Sequence, residues 1–217
     1  MAHEYINNGA DIYRESFRII REESDLERFP ADVEHVVVRM IHAAADPAIA
    51  ADIAFTPGVV AAARAALEAG APILCDSSMT ATGIIRSRLP RDNEVVCHIK
   101  DPRLAALAAE HGTTKTCAAV DLWAAEGLLD GSVVAIGNAP TALFRVLEVA
   151  AETGQRPAAV VGIPVGFVGA AESKDALVAS DLGLEHLTLL GRRGGSAIAV
   201  AAVNAIASLD ELTNLHK

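Results

Sequence analysis

Aromatic side chains are scarce in this sequence. They make up 4% of its 217 residues, with one Trp, two Tyr and five Phe. A core built with so little ring volume has to be filled by aliphatic residues and alanine, and small residues let helices approach closely or leave room for a bulky ligand. Paired cysteines are missing as well. The three present (Cys75, Cys97, Cys117) are odd in number and widely spaced, which argues against a disulfide framework or a metal-binding spacing and fits a reducing compartment. No apolar run reaches the roughly 18 residues that cross a bilayer, and the polar opening MAHEYINNGADIY has no apolar core of a signal peptide. Positive charge is outnumbered, leaving a net charge of −10, which argues against general binding to nucleic acid or to an anionic membrane. A cleft that gathers a few arginines around a small anionic molecule stays open. What is abundant is apolar material, 52% of residues, enough for a buried sheet or a large subunit interface.

The first third of the chain reads as helices. Residues 8–23 place Ile12, Tyr13, Phe17, Ile19 and Ile20 at helical spacing. Pro30 and Asp32 open a second helix that passes His42 and is stopped by Pro47; Thr56-Pro57 looks like a cap with proline in the first turn of a third, ended by Gly70. The rhythm then changes. Short apolar runs at 72–75, 95–99, 133–136, 159–162 and 186–190 alternate with helical patterns at about 78–86, 102–127, 141–152, 172–180 and 196–208. Continuously apolar strands alternating with helices predict a parallel sheet covered on both faces. The expected organisation is a single domain spanning 1–217: N-terminal helices over 1–70, an α/β core over 71–208 and a polar tail over 209–217.

Chemistry concentrates where strands turn into helices. "VVAIGNAPTALF" (133–144) is a strand, a Gly-Asn turn and a helix with Pro140 in its first turn; "VVGIPVGFVGAAESKDAL" (160–177) repeats the arrangement with a longer, glycine-spaced loop. Free backbone N–H groups at Asn138–Thr141 and Gly166–Ala170 would suit a carboxylate or phosphate there, outside the carboxyl ends of the strands, although glycines after strands also serve simple turns. In "LGRRGGSAIA" (190–199), Arg192 and Arg193 form either a solvated turn or a carboxylate clamp. The sequence contains no GxGxxG, no P-loop, no HExxH and no GxSxG, so nucleotide, histidine-ligated zinc and serine-nucleophile chemistries lack their signatures. The cysteines lie in apolar contexts that suit inert thiols. "RMIHAAADP" (39–47) sets one imidazole between an apolar helix and a run of alanines; a lone histidine there is either a packed residue or a proton donor working near neutral pH.

Taken together, IYRESFRIIREE (12–23), RMIHAAADP (39–47), GAPILCDSSMTATGI (70–84), AIGNAPTALF (135–144), PVGFVGAAESKDAL (164–177) and RGGSAIAVAAVNAIA (193–207) resemble the precorrin-8X methylmutase family of corrin biosynthesis. The resemblance runs in order along almost the whole chain. It implies a three-layer α/β/α sandwich with a mainly parallel, flavodoxin-like, five-stranded sheet preceded by N-terminal helices, working as a homodimer with sites near the subunit interface. The implied reaction isomerises precorrin-8X to hydrogenobyrinic acid by moving a ring methyl from carbon 11 to carbon 12, without metal or organic cofactor. The family's general acid maps onto His42 and a substrate-contacting serine onto Ser16. Two departures stand out: Ala45 precedes Asp46 where many relatives have glycine, and Lys115 stands where some have arginine, which keeps the charge but loses the planar fork.

An intramolecular methyl shift needs no nucleophile. Protonating the macrocycle helps it, and one acid group suffices. The substrate is a tetrapyrrole rimmed with acetate and propionate arms, so cations have to be concentrated locally. Arg14, Arg39, Arg86, Lys115, Lys174 and Arg192 are the candidates. The remaining expected contacts are Met79, Thr80 and Gly83, then Asn138, Ala139, Pro140 and Thr141, then Gly166, Phe167, Val168, Gly169, Ala170, Glu172 and Ser173. Hand-over of product to the next corrin-pathway enzyme and a cytoplasmic location complete the expectation. Three rival readings remain: a cobalt-precorrin-8 methylmutase, a non-catalytic corrin carrier, and, from the strand–helix pattern alone, a nucleotide-binding enzyme.

Overall fold

A computed structural model describes residues 3–210. Its centre is one six-stranded sheet in the order β1-β6-β5-β4-β2-β3, formed by β1 (Ile53–Phe55), β2 (Ile73–Cys75), β3 (Val95–Val96), β4 (Val133–Ile136), β5 (Ala159–Gly162) and β6 (His186–Leu189). The five strands from β2 to β6 are parallel, and β1 joins β6 antiparallel, Ile53 opposite Leu189. Taken alone, the parallel strands run in the flavodoxin-like order 2-1-3-4-5, so the chain changes direction across the sheet between β2 and β4. β2, β4, β5 and β6 are buried at every residue, which is why the first three read as unbroken apolar runs, while β6 also buries His186 and Thr188.

Nine α-helices accompany the sheet among the described residues: α1 (Gly9–Glu23), α2 (Ala31–Ala44), α3 (Val59–Glu68), α4 (Ser78–Gly83), α5 (Leu104–Glu110), α6 (Lys115–Ala125), α7 (Pro140–Thr153), α8 (Ala170–Ala179) and α9 (Ser196–Ala207). Two apolar layers flank the sheet. One is formed largely by α2, α3 and α9 over the inward side chains of β2, β4, β5 and β6; the other by α6, α7 and α8. Helix α9 is nearly all small or aliphatic and lies between α2 and α4. Gly83 of α4 abuts it so closely that a Cβ there would come within 2.9 Å of Val200.

Several expectations need correction. The sheet has six strands, not five. β1 was missed because its three residues lie between the helix expected to stop at Pro47 and the one expected to open at Thr56, and are too few to show a period. The expected strand 95–99 stops at Val96, after which His98–Lys100 turn as a 3₁₀ segment. The expected helix 102–127 is two helices, because Gly112 adopts φ 61° and Thr114 caps a new start through Cys117 N–H. Thr56 does not cap α3; its hydroxyl bonds the Glu185 carboxylate, and α3 begins after Gly58. Helix α2, by contrast, stops where expected, at Ala45 just short of Pro47, with Ala45 in the left-handed region. The expected polar tail lies outside the described residues except for Leu209 and Asp210.

Candidate active site

The site is built where α2 ends. Helix α1 starts at Asn8, whose side chain accepts from Asp11 N–H at 3.1 Å, and it turns Tyr13, Phe17 and Ile20 inward one turn apart. Tyr13 and Phe17 meet edge to face at 5.6 Å. His42, in the last turn of α2, packs on both rings, 5.2 Å from Tyr13 and 5.4 Å from Phe17. Arg39, one turn earlier, spreads its guanidinium over the same pair at 5.7 and 4.9 Å. The two scarce aromatics are therefore spent on holding one imidazole. Burial and then the nearby Arg39 charge lower the His42 pKa below the ordinary imidazole value.

His42 differs from four other histidines of the fold. His35 faces the Ser208 carbonyl, His98 the Glu126 carboxylate, His111 the Asp121 carboxylate and His186 the Leu184 carbonyl. Among the described residues His42 has ring contacts and no hydrogen-bond partner, so its nitrogens are uncommitted. Ser16 shares the half-buried side of α1, whereas Arg14 points outward and pairs with Asp11 at 2.7 Å. Just past His42, Ala43 and Ala44 line an open cleft of ≈ 420 Å³ with Val165, Arg193, Ala197 and Ile198. That cleft joins the end of α2 to the loops that leave β5 and β6. Arg193 braces the junction, bonding Asp46 and Asp52 at 2.5 Å each.

The carboxyl edge of the sheet is more crowded than its sequence suggests. Asp76, directly after β2, is buried, and its carboxylate accepts N–H bonds from Gly137 (3.0 Å), Asn138 (2.8 Å) and Ala139 (2.6 Å). Two of the amides expected to await an external anion, those of Asn138 and Ala139, are thus already occupied. Burial pushes the Asp76 pKa up, while the three donors act to lower it. Thr80 is fully buried and shares its hydroxyl with Ser77 (2.9 Å) and Ser196 (3.0 Å). Met79 beside it is 74% exposed. Thr141 bonds Thr114 and Thr116 on either side of Lys115, so Lys115, Pro140, Thr141 and the exposed Asn138 share one corner. Arg86 lies on the surface and reaches the Asn93 carbonyl at 3.4 Å.

In the loop after β5, Phe167 and Val168 are 83% and 88% exposed, and Arg192 stands 5.4 Å from the Phe167 ring. Gly166 donates its N–H to the Arg192 carbonyl, and Gly169 opens α8 with φ 78°. Glu172 is exposed. Ser173 and Lys174 turn inward, contrary to their polar character: the Ser173 hydroxyl donates to the Ala170 carbonyl at 3.1 Å, and Lys174 Nζ donates to the carbonyls of Gly191 (2.9 Å) and Arg193 (2.6 Å). Desolvation lowers the Lys174 pKa to about 8. These two side chains, like Thr80, support the loops from inside and present no polar atom to solvent.

Chemically, the arrangement offers one uncommitted imidazole, cations at Arg39, Lys115 and Arg192, and exposed apolar surface at Met79, Phe167 and Val168. The thiols are poor nucleophiles, since burial raises the pKa of Cys75, Cys97 and Cys117. Among the described residues no group of three or more His, Cys, Asp or Glu is placed to hold a metal ion. Sequence reasoning missed Tyr13 and Phe17 as the seat of His42 and the Asp76 plug, while the carboxylate clamp offered for Arg193 is met internally by Asp46 and Asp52. Only the i, i+4 spacing of the two aromatics was a usable signal.

The chain is similar to known proteins along most of its length. A family model described as precorrin-8X methylmutase matches residues 11–209. A precorrin-8X methylmutase from Sinorhizobium sp. is 52% identical over 205 residues, covering 94% of this chain and 97% of that one. A cobalt-precorrin-8 methylmutase from Methanothermobacter thermautotrophicus is 37% identical, covering 94% of each. The crystal structure of a precorrin-8X methylmutase from Thermus thermophilus superposes with a TM-score of 0.82 at 42% identity, over 92% of this chain and 95% of that one.

Proposed function

This chain belongs to the precorrin-8X methylmutase family, a family of isomerases, and on that premise we propose that it converts precorrin-8X to hydrogenobyrinic acid with His42 as general acid. The observation that carries the reading is the seat of His42: a half-buried imidazole held by two aromatic rings, its nitrogens uncommitted, beside a cleft that Ala43, Ala44 and Ala197 help to line. The imidazolium lends a proton to the macrocycle. The bond from carbon 11 to the migrating methyl weakens, the bond to carbon 12 forms, and the proton returns to His42, so substrate and product are isomers. General acid assistance contributes about 100- to 10,000-fold. Holding the ring in a reactive shape supplies the rest.

In the free chain the lowered pKa keeps His42 largely neutral near pH 7. A substrate rimmed with carboxylates favours the imidazolium and so charges the acid when it binds. Arg39, Lys115 and Arg192 are the cations placed to meet those arms, Asn138 and Thr141 the polar contacts, and Met79, Phe167 and Val168 the apolar ones; Ser16 lies one turn from Tyr13. Thr80, Ser173 and Lys174 act from beneath. The same reading carries a homodimer with the exposed Phe167–Val168 loop near its interface, a cytoplasmic location, and delivery of the product to the next corrin enzyme.

Cobalt-precorrin-8 is the alternative substrate. The higher identity to a precorrin-8X methylmutase, 52% against 37% to a cobalt-precorrin-8 methylmutase, favours precorrin-8X. The test is to incubate the purified chain with each compound and follow the visible spectrum. Conversion of precorrin-8X to the product's spectrum is expected. Turnover of the cobalt compound alone would reassign the substrate, and tight product binding without turnover of either would make the chain a carrier.

A further inference from the structure

Among the described residues Asp76 is the one buried carboxylate, the reaction does not use it, and its surroundings are unusually complete. It sits at the point where the chain direction across the sheet reverses, between β2 and β4. In open α/β sheets this crevice is where an external ligand's anion enters. Here the crevice is closed from within, because the Asp76 carboxylate takes the N–H groups of Gly137, Asn138 and Ala139 at 2.6–3.0 Å. The closure has no slack. A Cβ on Gly137 would lie 2.7 Å from Thr80 Oγ1 and 2.8 Å from Ser196 Cα, and Thr80, Ser77 and Ser196 interlock their hydroxyls beside it. The residues that emerge on either side of this knot are Met79 and Asn138, both exposed.

We propose that Asp76 is a positioning residue for the isomerisation: an internal anion that fills the crevice and so sets the pose of Asn138 and Met79, on which the macrocycle rests. Substrate carboxylates are therefore met by cations on the rim and not by the amides of the crevice. The inference rests on the proposed function for the identity of the substrate. It predicts a specific kinetic pattern, because a shelf displaced by about 1 Å costs roughly 100-fold in kcat/KM while the acid, on another helix, keeps its place.

Removing the carboxylate leaves three N–H donors around a space that a small carboxylate ion fits. Asp76→Ala is expected to lose roughly 100-fold in kcat/KM for precorrin-8X, with KM raised. Sodium formate should restore most of that loss, whereas sodium chloride and formamide should not. The idea is overturned by a variant with the parent KM, or by formate that restores the melting temperature and leaves KM raised. If Asp76→Ala does not fold, Asp76→Asn carries the test: a raised KM at near-parent kcat supports the proposal and parent kinetics overturn it. The parent is assayed alongside. A parent that turns over no precorrin-8X strikes the proposed function, and an active parent with an unaltered variant strikes this inference alone.

Discussion

The end of α2 and the carboxyl edge of the sheet are neighbours, yet they treat polar groups in opposite ways. At the edge the polar groups are paired internally: three amides donate to Asp76, Lys174 donates to two carbonyls, Gly166 donates to the Arg192 carbonyl, and Thr80 shares its hydroxyl with two serines. At the end of α2 the imidazole of His42 is held by ring contacts alone, tilted on Tyr13 and edge to face with Phe17. Hydrogen-bonded groups are held still by the bonds they make. A group that must pass a proton to a ligand has to be held by something else, and aromatic packing positions a ring without occupying its nitrogens. The edge supplies a rigid shelf, and the helix end supplies reactivity.

The sharpest way to break this contrast is to remove the imidazole. His42→Ala and His42→Phe should both lose about 100- to 10,000-fold in kcat, with product binding near the parent value by absorption titration. His42→Phe keeps a ring against Tyr13 and Phe17 and should melt like the parent, which separates chemistry from packing. In the parent, kcat/KM should fall as pH rises through a pKa below the ordinary imidazole value, because the free enzyme's acid is lost there. The corresponding limb of kcat should lie at higher pH, where bound carboxylates hold the proton on. Parent-level turnover by His42→Phe would end the assignment.

A smaller effect tests the shelf. Gly137→Ala forces a methyl into Thr80 and Ser196 and should cost about 1–3 kcal/mol or more in urea unfolding. A variant as stable as the parent would mean that the crevice is looser than its distances imply. The smallest change tests the helix end. Ala45, at φ 51°, is the only non-glycine residue with positive φ among those described. Ala45→Gly should relieve that strain and raise stability by roughly 0.5–1 kcal/mol, read from the same unfolding curves. Unchanged or reduced stability would show that Arg193 and the Asp46 turn already absorb it.

How much of this was legible beforehand depended on how local the cause was. The strands of the parallel sheet were readable because both their faces are buried, which leaves unbroken runs such as Val133–Ile136. His42 stood out through its place between an apolar helix and alanines. Asp76 was illegible because its partners lie 61–63 residues along the chain. Lys174 was misread because the exposed Glu172 and Asp175 flank it in a polar stretch of α8, and nothing in that segment announces two carbonyls beneath. Strand β1 was too short to show a period. Contacts made within a helical turn leave a pattern in the sequence, whereas contacts made by folding leave only residue types.

The outermost strands of the sheet have a consequence for handling the protein in concentrated solution. β1 is three residues long and β3 only two. An edge that short offers an incoming chain too few free backbone groups to extend the ladder, so the borders resist the strand-to-strand stacking that seeds aggregates. An apolar content of 52% can therefore be carried without a long sticky margin, and lengthening either border strand is the change most apt to turn this molecule toward precipitation.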